Sequence, residues 1–288
     1  MIKVLEDMLQ PYAPKTPLDW LQATRELVQE IILLGFWRGG FFEHAAFYGG
    51  TALRIFHGLN RFSEDLDFSL DAPHDSIRLE HMLSYLELEL SAWGFSFESE
   101  PQLKQGKRAI ESAFVKGNTR INLLNIEAPD EISQNFPANQ KISVKLELDT
   151  NPPPFAKTEV KTHLMPTPYQ VRLYDLPSLF AGKLHAILFR DSKNRVKGRD
   201  FYDLIWLVAR RTPVNLPHLE ARIRQSGDPT INNLDLTSLH NLLHDRFSLI
   251  DFAAAANEVR PFLRDARELD LWTRRFFQQL VPQICARP

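Results

Sequence analysis

The segment from Phe47 to Leu70 constrains this chain more than any other. A short apolar run, Ala45 to Tyr48, ends at Gly49-Gly50, and about fourteen residues after Thr51 an acid pair, Asp65 and Asp67, brackets Leu66. The run and the glycines predict a strand and a sharp turn, after which Thr51 is expected to cap a short helix, Ala52 to His57. Leu66 to Leu70 alternates with acids and reads as a second strand. Residues two apart on a strand face the same side, so both carboxylates converge while Leu66 and Phe68 point into the core. Two carboxylates so close repel unless a cation offsets them. Mg²⁺ (or Mn²⁺) suits such a pair, because it takes hard oxygen ligands and completes its shell with waters and substrate phosphates. Glycine lets a backbone approach a phosphate, and a helix start presents N–H groups to it. A tight turn with a capping threonine, or a solvated Asp-x-Asp strand, would each be unremarkable alone. The compound of the two carries the reading.

A third acid is available further on. Val144-Lys145-Leu146-Glu147-Leu148-Asp149 alternates cleanly, with Leu146 and Leu148 toward the core and Lys145, Glu147 and Asp149 on the other face. Either Glu147 or Asp149 could complete a metal site, and a solvated strand face is the alternative.

Elsewhere, residues 18 to 37 fit a helix started by Thr16 or Asp19, and His74 to Trp93 fits another. Phe95 to Phe97, Ala113 to Val115, Thr119 to Ile126 and Lys141 to Asp149 read as strands, a series that Pro152-Pro153-Pro154 ends. Beyond about Leu173 the pattern is helical: one helix opens at Leu176-Pro177-Ser178 and another runs from Arg199 to Arg210, with Phe201, Tyr202 and Trp206 expected in the core. Lys183 and Arg190, seven apart, share a helix face, and so do Asp200 and Asp203, three apart. This is an α+β layout, with an α/β lobe over residues 1–170, N-terminal helices included, and a helical lobe over residues 171–288. At 288 residues, 44% apolar and 24% charged, the chain can bury a core in each. No general affinity for nucleic acid follows from a formal charge of −2. A polyanion would have to meet a local patch, such as the basic loop holding Lys193, Arg195, Lys197 and Arg199. Cys285 is the only cysteine, which excludes an internal disulfide and a thiolate zinc cage and fits a reducing cytoplasm. No signal-peptide core opens the sequence, and no uncharged run approaches the roughly 20 residues of a membrane span. A cytoplasmic protein with no membrane partner is expected.

The glycine turn followed by Asp-hydrophobic-Asp-hydrophobic resembles the signature of the polymerase-beta-like nucleotidyltransferase superfamily. Further blocks narrow the likeness: Phe47-Tyr48-Gly49-Gly50-Thr51-Ala52-Leu53-Arg54, Arg61-Phe62-Ser63-Glu64-Asp65-Leu66-Asp67-Phe68, Leu179 to Ile187, Arg190, and Lys197-Gly198-Arg199-Asp200-Phe201-Tyr202-Asp203-Leu204. Together, over roughly residues 45 to 210, they resemble the AbiEii/AbiGii toxin family. The resemblance implies a polymerase-beta-like lobe with a mixed sheet, then a mainly helical lobe. It implies Asp65 and Asp67 as catalytic metal ligands and places the third acid directly after a Lys-hydrophobic pair, at Glu147, with Asp149 in reserve. It puts Lys183 and an aspartate of the second helix in the active site: Asp200 by preference, with Asp203 as a partner for Lys183. Gly49, Gly50, Thr51, Arg54, Ser63, Arg190 and Asp203 are expected to bind nucleotide. The implied activity moves a nucleoside monophosphate from an NTP to an acceptor hydroxyl, with tRNA the expected acceptor. The implied setting is a toxin–antitoxin or abortive-infection phage-defence system with a protein antitoxin. Three alternatives use the same fold: a protein acceptor, hydrolysis to water, or a non-catalytic RNA- or protein-binding module. Retention of the acids speaks against the last.

Overall fold

A computed structural model describes residues 3–73, 77–102, 109–189, 196–226 and 231–286. In chain order its main elements are α1 (Lys3–Leu9), α2 (Pro17–Arg38), β1 (Ala45–Tyr48), α3 (Gly49–His57), β2 (Asp65–Leu70), α4 (Leu79–Ala92), β3 (Glu98–Pro101), β4 (Ile110–Asn118), α5 (Thr119–Asn125), α6 (Asp130–Gln134), β5 (Lys141–Asp149), β6 (Thr158–His163) and β7 (Tyr169–Tyr174). Then follow α7 (Leu176–Phe189), α8 (Gly198–Ala209), β8 (Pro213–Val214), α9 (Leu216–Gln225), α10 (Leu236–Ser248), α11 (Phe252–Val259), α12 (Arg274–Leu280) and β9 (Cys285–Ala286). The chain forms two compact units: Met1–Ala52, Phe62–Pro152 and Val160–Leu173 make the first, and Leu53–Arg61, Pro153–Glu159 and Tyr174–Pro288 the second. Among the described residues no helix is long and apolar enough to cross a membrane.

A seven-stranded mixed sheet in the order β3-β4-β5-β2-β1-β7-β6 organises the first unit. β2 lies at its middle, antiparallel to β1 and parallel to β5. Alternation decides which face is core: Ile142, Val144, Leu146 and Leu148 of β5 and Leu66 and Phe68 of β2 are fully buried. Helix α2 starts in a capping box, in which Thr16 accepts from the Asp19 N–H and Asp19 accepts from the Thr16 N–H. It ends in an aromatic cluster, with the Phe36 ring 4.6 Å from Phe68 and 4.5 Å from Phe41. Burying a side chain such as Phe68 contributes about 1.5–3 kcal/mol over leaving it exposed.

Several elements depart from the sequence expectations. Residues 119–125 form helix α5, not a strand, because Asn118 caps its start and Asn122 exchanges hydrogen bonds with both backbone groups of Ser96. The strand expected at Phe95 to Phe97 lies at Glu98–Pro101. The helix expected from His74 starts at Leu79, after an extended Arg78; residues 74–76 lie outside the described residues. The prolines at 152–154 do not end the sheet, since β6 and β7 follow them. Trp206 is half-buried, with the Arg210 guanidinium 4.1 Å over its ring, and is not a core residue.

In the second unit Phe201, Phe247, Phe252 and Phe277 pack ring on ring, Phe252 and Phe277 stacking at 4.3 Å. Gly198 permits the close passage of α8 past α11, because a Cβ there would lie 1.8 Å from the Ala255 carbonyl oxygen. The segment after the prolines is tied down by α9: the Asn215 amide donates to the Phe155 carbonyl at 2.8 Å, and His218 Nδ1 donates to the Pro154 carbonyl at 2.8 Å.

Burial lowers the pKa of His218 to about 4, Arg222 adding to the effect and the Pro154 hydrogen bond opposing it. An unfolded histidine titrates near 6.5. The unfolded chain therefore binds a proton first as pH falls, and the neutral fold loses stability through that window. The contribution is fully present above pH 6.5 and is lost by pH 4, a total of about 3 kcal/mol. Urea unfolding of wild type and His218→Gln across this range should show a shallower pH slope in the variant; parallel slopes would refute the assignment.

Candidate active site

The parallel pairing of β2 with β5 sets Asp65 opposite Lys145 and Asp67 opposite Glu147. Directly paired residues project from the same face of a sheet, so these four side chains share one face. Each is half-buried, while the residues between them fill the core. Asp149 lies two residues beyond Glu147, opposite Ser69, and accepts from the Asn151 N–H at 3.0 Å. Of the two candidate third acids, Glu147 is the register neighbour of the Asp65–Asp67 pair. The Lys145 ammonium hydrogen-bonds the Glu147 carboxylate. Burial pulls the Lys145 pKa down, but Glu147, with Asp65 and Asp67 beyond it, outweighs this and holds it above the usual lysine range.

Gly49 fits its place for two reasons. Its φ is +86°, in the left-handed region, and a Cβ there would lie 2.2 Å from Asp67 Oδ2. The missing side chain lets the acid lie against the start of α3, whose first turn presents backbone N–H groups. The helix begins at Gly49, so Thr51 sits inside it rather than capping it. Thr51 is fully buried, and its hydroxyl donates to the Asp65 carbonyl at 2.5 Å. It ties the acid strand to the helix and does not offer its hydroxyl to a ligand. Upstream, the Gln29 amide of α2 donates to the Ser63 and Glu64 carbonyls at 3.1 and 3.0 Å, fixing the approach to Asp65.

The donor set suits a hard divalent cation. Among the described residues no three or more His, Cys, Asp or Glu are placed to hold a metal ion together. Mg²⁺ needs no such group, since one or two carboxylates and substrate phosphates suffice. Ser112, the register partner of Glu147 on β4, is buried with no hydrogen-bond partner for its hydroxyl among the described residues, leaving a donor at the edge of the acid group.

The second unit gathers the other motif residues. Arg61 grips Asp203 through both carboxylate oxygens, at 2.7 and 2.6 Å, with both side chains buried. Lys183 bridges Asp203 at 2.8 Å and Asp200 at 3.1 Å. Burial works against charge on Lys183, yet Asp203 and Asp200 together hold its pKa above the usual range. Two cations thus face two carboxylates, a neutral quartet in a dry setting.

The sequence matches the family described as nucleotidyl transferase AbiEii toxin, type IV TA system, over residues 31–280. The chain belongs to the AbiEii nucleotidyltransferase toxin family. Two Helicobacter pylori crystal structures are similar to the chain at 18% identity. One, described as a presumptive nucleotidyltransferase, has a TM-score of 0.49 and covers 90% of this chain and 94% of its own. The other, JHP933, has a TM-score of 0.50 and covers 91% and 93%. No curated protein matches the sequence.

Within the AbiEii motifs, some residues serve differently from the sequence expectation. Arg54 donates to the Leu59 carbonyl at 2.9 Å, closing the turn after α3. Arg199, expected in a basic loop that could meet a polyanion, pairs with Glu258 at 3.3 Å and lies 4.2 Å over the Phe262 ring. Arg190, Lys193 and Arg195 lie outside the described residues. Sequence reasoning gave no role to Gln29, Lys145 or Arg61. Arg61 opens the Arg-Phe-Ser block and so carried a signal, but its partner lies 142 residues away.

Proposed function

We propose that this AbiEii-family nucleotidyltransferase moves a nucleoside monophosphate from an NTP to an acceptor hydroxyl, that of a tRNA, with a divalent cation. The observation that carries this reading is the acid face: Asp65, Asp67 and Glu147 in register on neighbouring strands, with Gly49 clearing space for Asp67. Asp65 and Asp67 would hold Mg²⁺ or Mn²⁺, and Glu147, with Asp149 in reserve, would serve as the base or as a further ligand. When bound, the cation neutralises phosphate oxygens and acidifies the attacking hydroxyl. The backbone N–H groups at Gly49 and Gly50 favour a phosphate at the start of α3, and Ser63 lies on the segment leading into the acids. As the acceptor oxygen attacks the α-phosphorus its proton passes to a carboxylate of this face, and pyrophosphate leaves. Lys183 and Arg190 are assigned to charge compensation for the triphosphate on the strength of their motif, and Asp200 and Asp203 to holding Lys183. The cellular role follows the family: a toxin held in check by a protein antitoxin in the cytoplasm.

The test is incubation with each α-labelled NTP, Mg²⁺ and bulk tRNA. Label should enter RNA with wild type and not with Asp65→Ala/Asp67→Ala. Equal transfer by both would refute the site. Label on protein instead would move the acceptor to a Ser, Thr or Tyr hydroxyl, and release of free nucleotide alone would favour hydrolysis.

A further inference from the structure

We propose that Lys145 is a built-in counter-ion of the acid face, displaced from Glu147 when that carboxylate joins Asp65 and Asp67 in holding a divalent cation. The inference rests on the reading of that face as a metal site and adds a competitor within it. Asp65, Asp67 and Glu147 put three carboxylates on two neighbouring strands, and Lys145 is on the same face, opposite Asp65 in register and hydrogen-bonded to Glu147. Carboxylates sharing one face without a cation repel, so an ammonium among them stabilises the metal-free fold.

The placement also allows release. The Lys145 and Glu147 side chains retain 31% and 29% of their exposure, so the pair is reached by water and separates without movement of β5. Lysine carries its charge on a flexible four-carbon stem and can swing outward, which the strand-bound carboxylates cannot do. Binding is then an exchange: the ammonium–Glu147 hydrogen bond breaks, carboxylate–metal bonds form, and Lys145 keeps its proton and turns to solvent or to a phosphate of the incoming nucleotide. An acid face that carries its own cation binds metal weakly alone and more tightly once a nucleotide offers the displaced ammonium a new partner.

Mn²⁺ titration followed by electron paramagnetic resonance tests this without reference to turnover. The full-length chain is compared as wild type, Lys145→Met, Lys145→Gln, Lys145→Arg and Asp65→Asn/Asp67→Asn. Removing the ammonium should tighten Mn²⁺ binding about tenfold or more in both neutral variants, while Lys145→Arg stays near wild type. In EDTA the neutral variants should melt below wild type, and Mn²⁺ should raise their Tm further than it raises that of wild type. Unchanged or weaker Mn²⁺ binding in the neutral variants, with wild type binding and the acid variant not, overturns the role of Lys145 and leaves the metal site standing. Equal binding by wild type and the acid variant overturns the metal site itself. Should Lys145→Met fail to fold, Lys145→Gln, which keeps a neutral donor toward Glu147, gives the same reading.

Discussion

Exchanging Arg61 for methionine is expected to cost the second unit about 3–5 kcal/mol, the usual result of removing one partner from a buried ion pair. The loss comes less from the missing attraction than from what stays behind. Asp203 is fully buried and, among the described residues, would keep Lys183, which it already shares with Asp200. Burial alone would disfavour charge on Arg61; Asp203, through charge and hydrogen bonding, with help from Asp200 and Glu258, reverses this and holds its pKa above the usual arginine range. Lysine should rescue poorly, because an ammonium cannot reproduce the two-pronged grip on Asp203. Urea unfolding of Arg61→Met, Arg61→Lys, Asp203→Asn and Arg61→Met/Asp203→Asn would measure the effect. The double variant should lose less than the sum of its single losses. A loss under about 1 kcal/mol for Arg61→Met would mean that the buried quartet does not hold the second unit together.

The second large effect is catalytic. Gly49→Ala should lower nucleotide transfer by about 100-fold while the protein stays folded. An added methyl must avoid Asp67 Oδ2, 2.2 Å away, and the carboxylate, being the end of a side chain, will yield before the backbone of β2 does. A left-handed alanine adds about 1–2 kcal/mol of local strain. A displacement near 1 Å at a metal-binding oxygen accounts for the loss, with the effect falling on kcat at saturating Mg²⁺ and NTP. Transfer at the wild-type rate by a fully folded Gly49→Ala would show that Asp67 has no role tied to that position.

How far these features could be read in the sequence depended on the range of the interactions behind them. The faces of β2 and β5 follow from alternation, a local property, and the first-turn box at Thr16 and Asp19 is local too. The acid face needed two further facts, that β5 lies beside β2 and in which register. Only the family likeness hinted at these, through the choice of Glu147 over Asp149. Residues 119–126 misled because their apolar spacing suits a strand, whereas the bonds that settle them as a helix run from Asn122 back to Ser96. Thr51 misled because a threonine after two glycines is a good cap, and its actual acceptor, the Asp65 carbonyl, is fourteen residues on. Arg61 was legible as part of a motif and silent as to purpose, since nothing near it in sequence reveals a carboxylate in α8.

The position of β2 has a consequence for how such a toxin could be restrained. With neighbours on both sides, the acid strand offers no unpaired backbone edge, so an inhibitory peptide cannot silence it by adding itself as a further strand. Among the described residues the outer strands of the sheet are β3 and β6, where Glu98 and Glu100 on one and Glu159 and Lys161 on the other discourage that kind of pairing. Restraint by direct contact would have to come from above the sheet, by blocking the carboxylate tips or whatever the nucleotide rests upon.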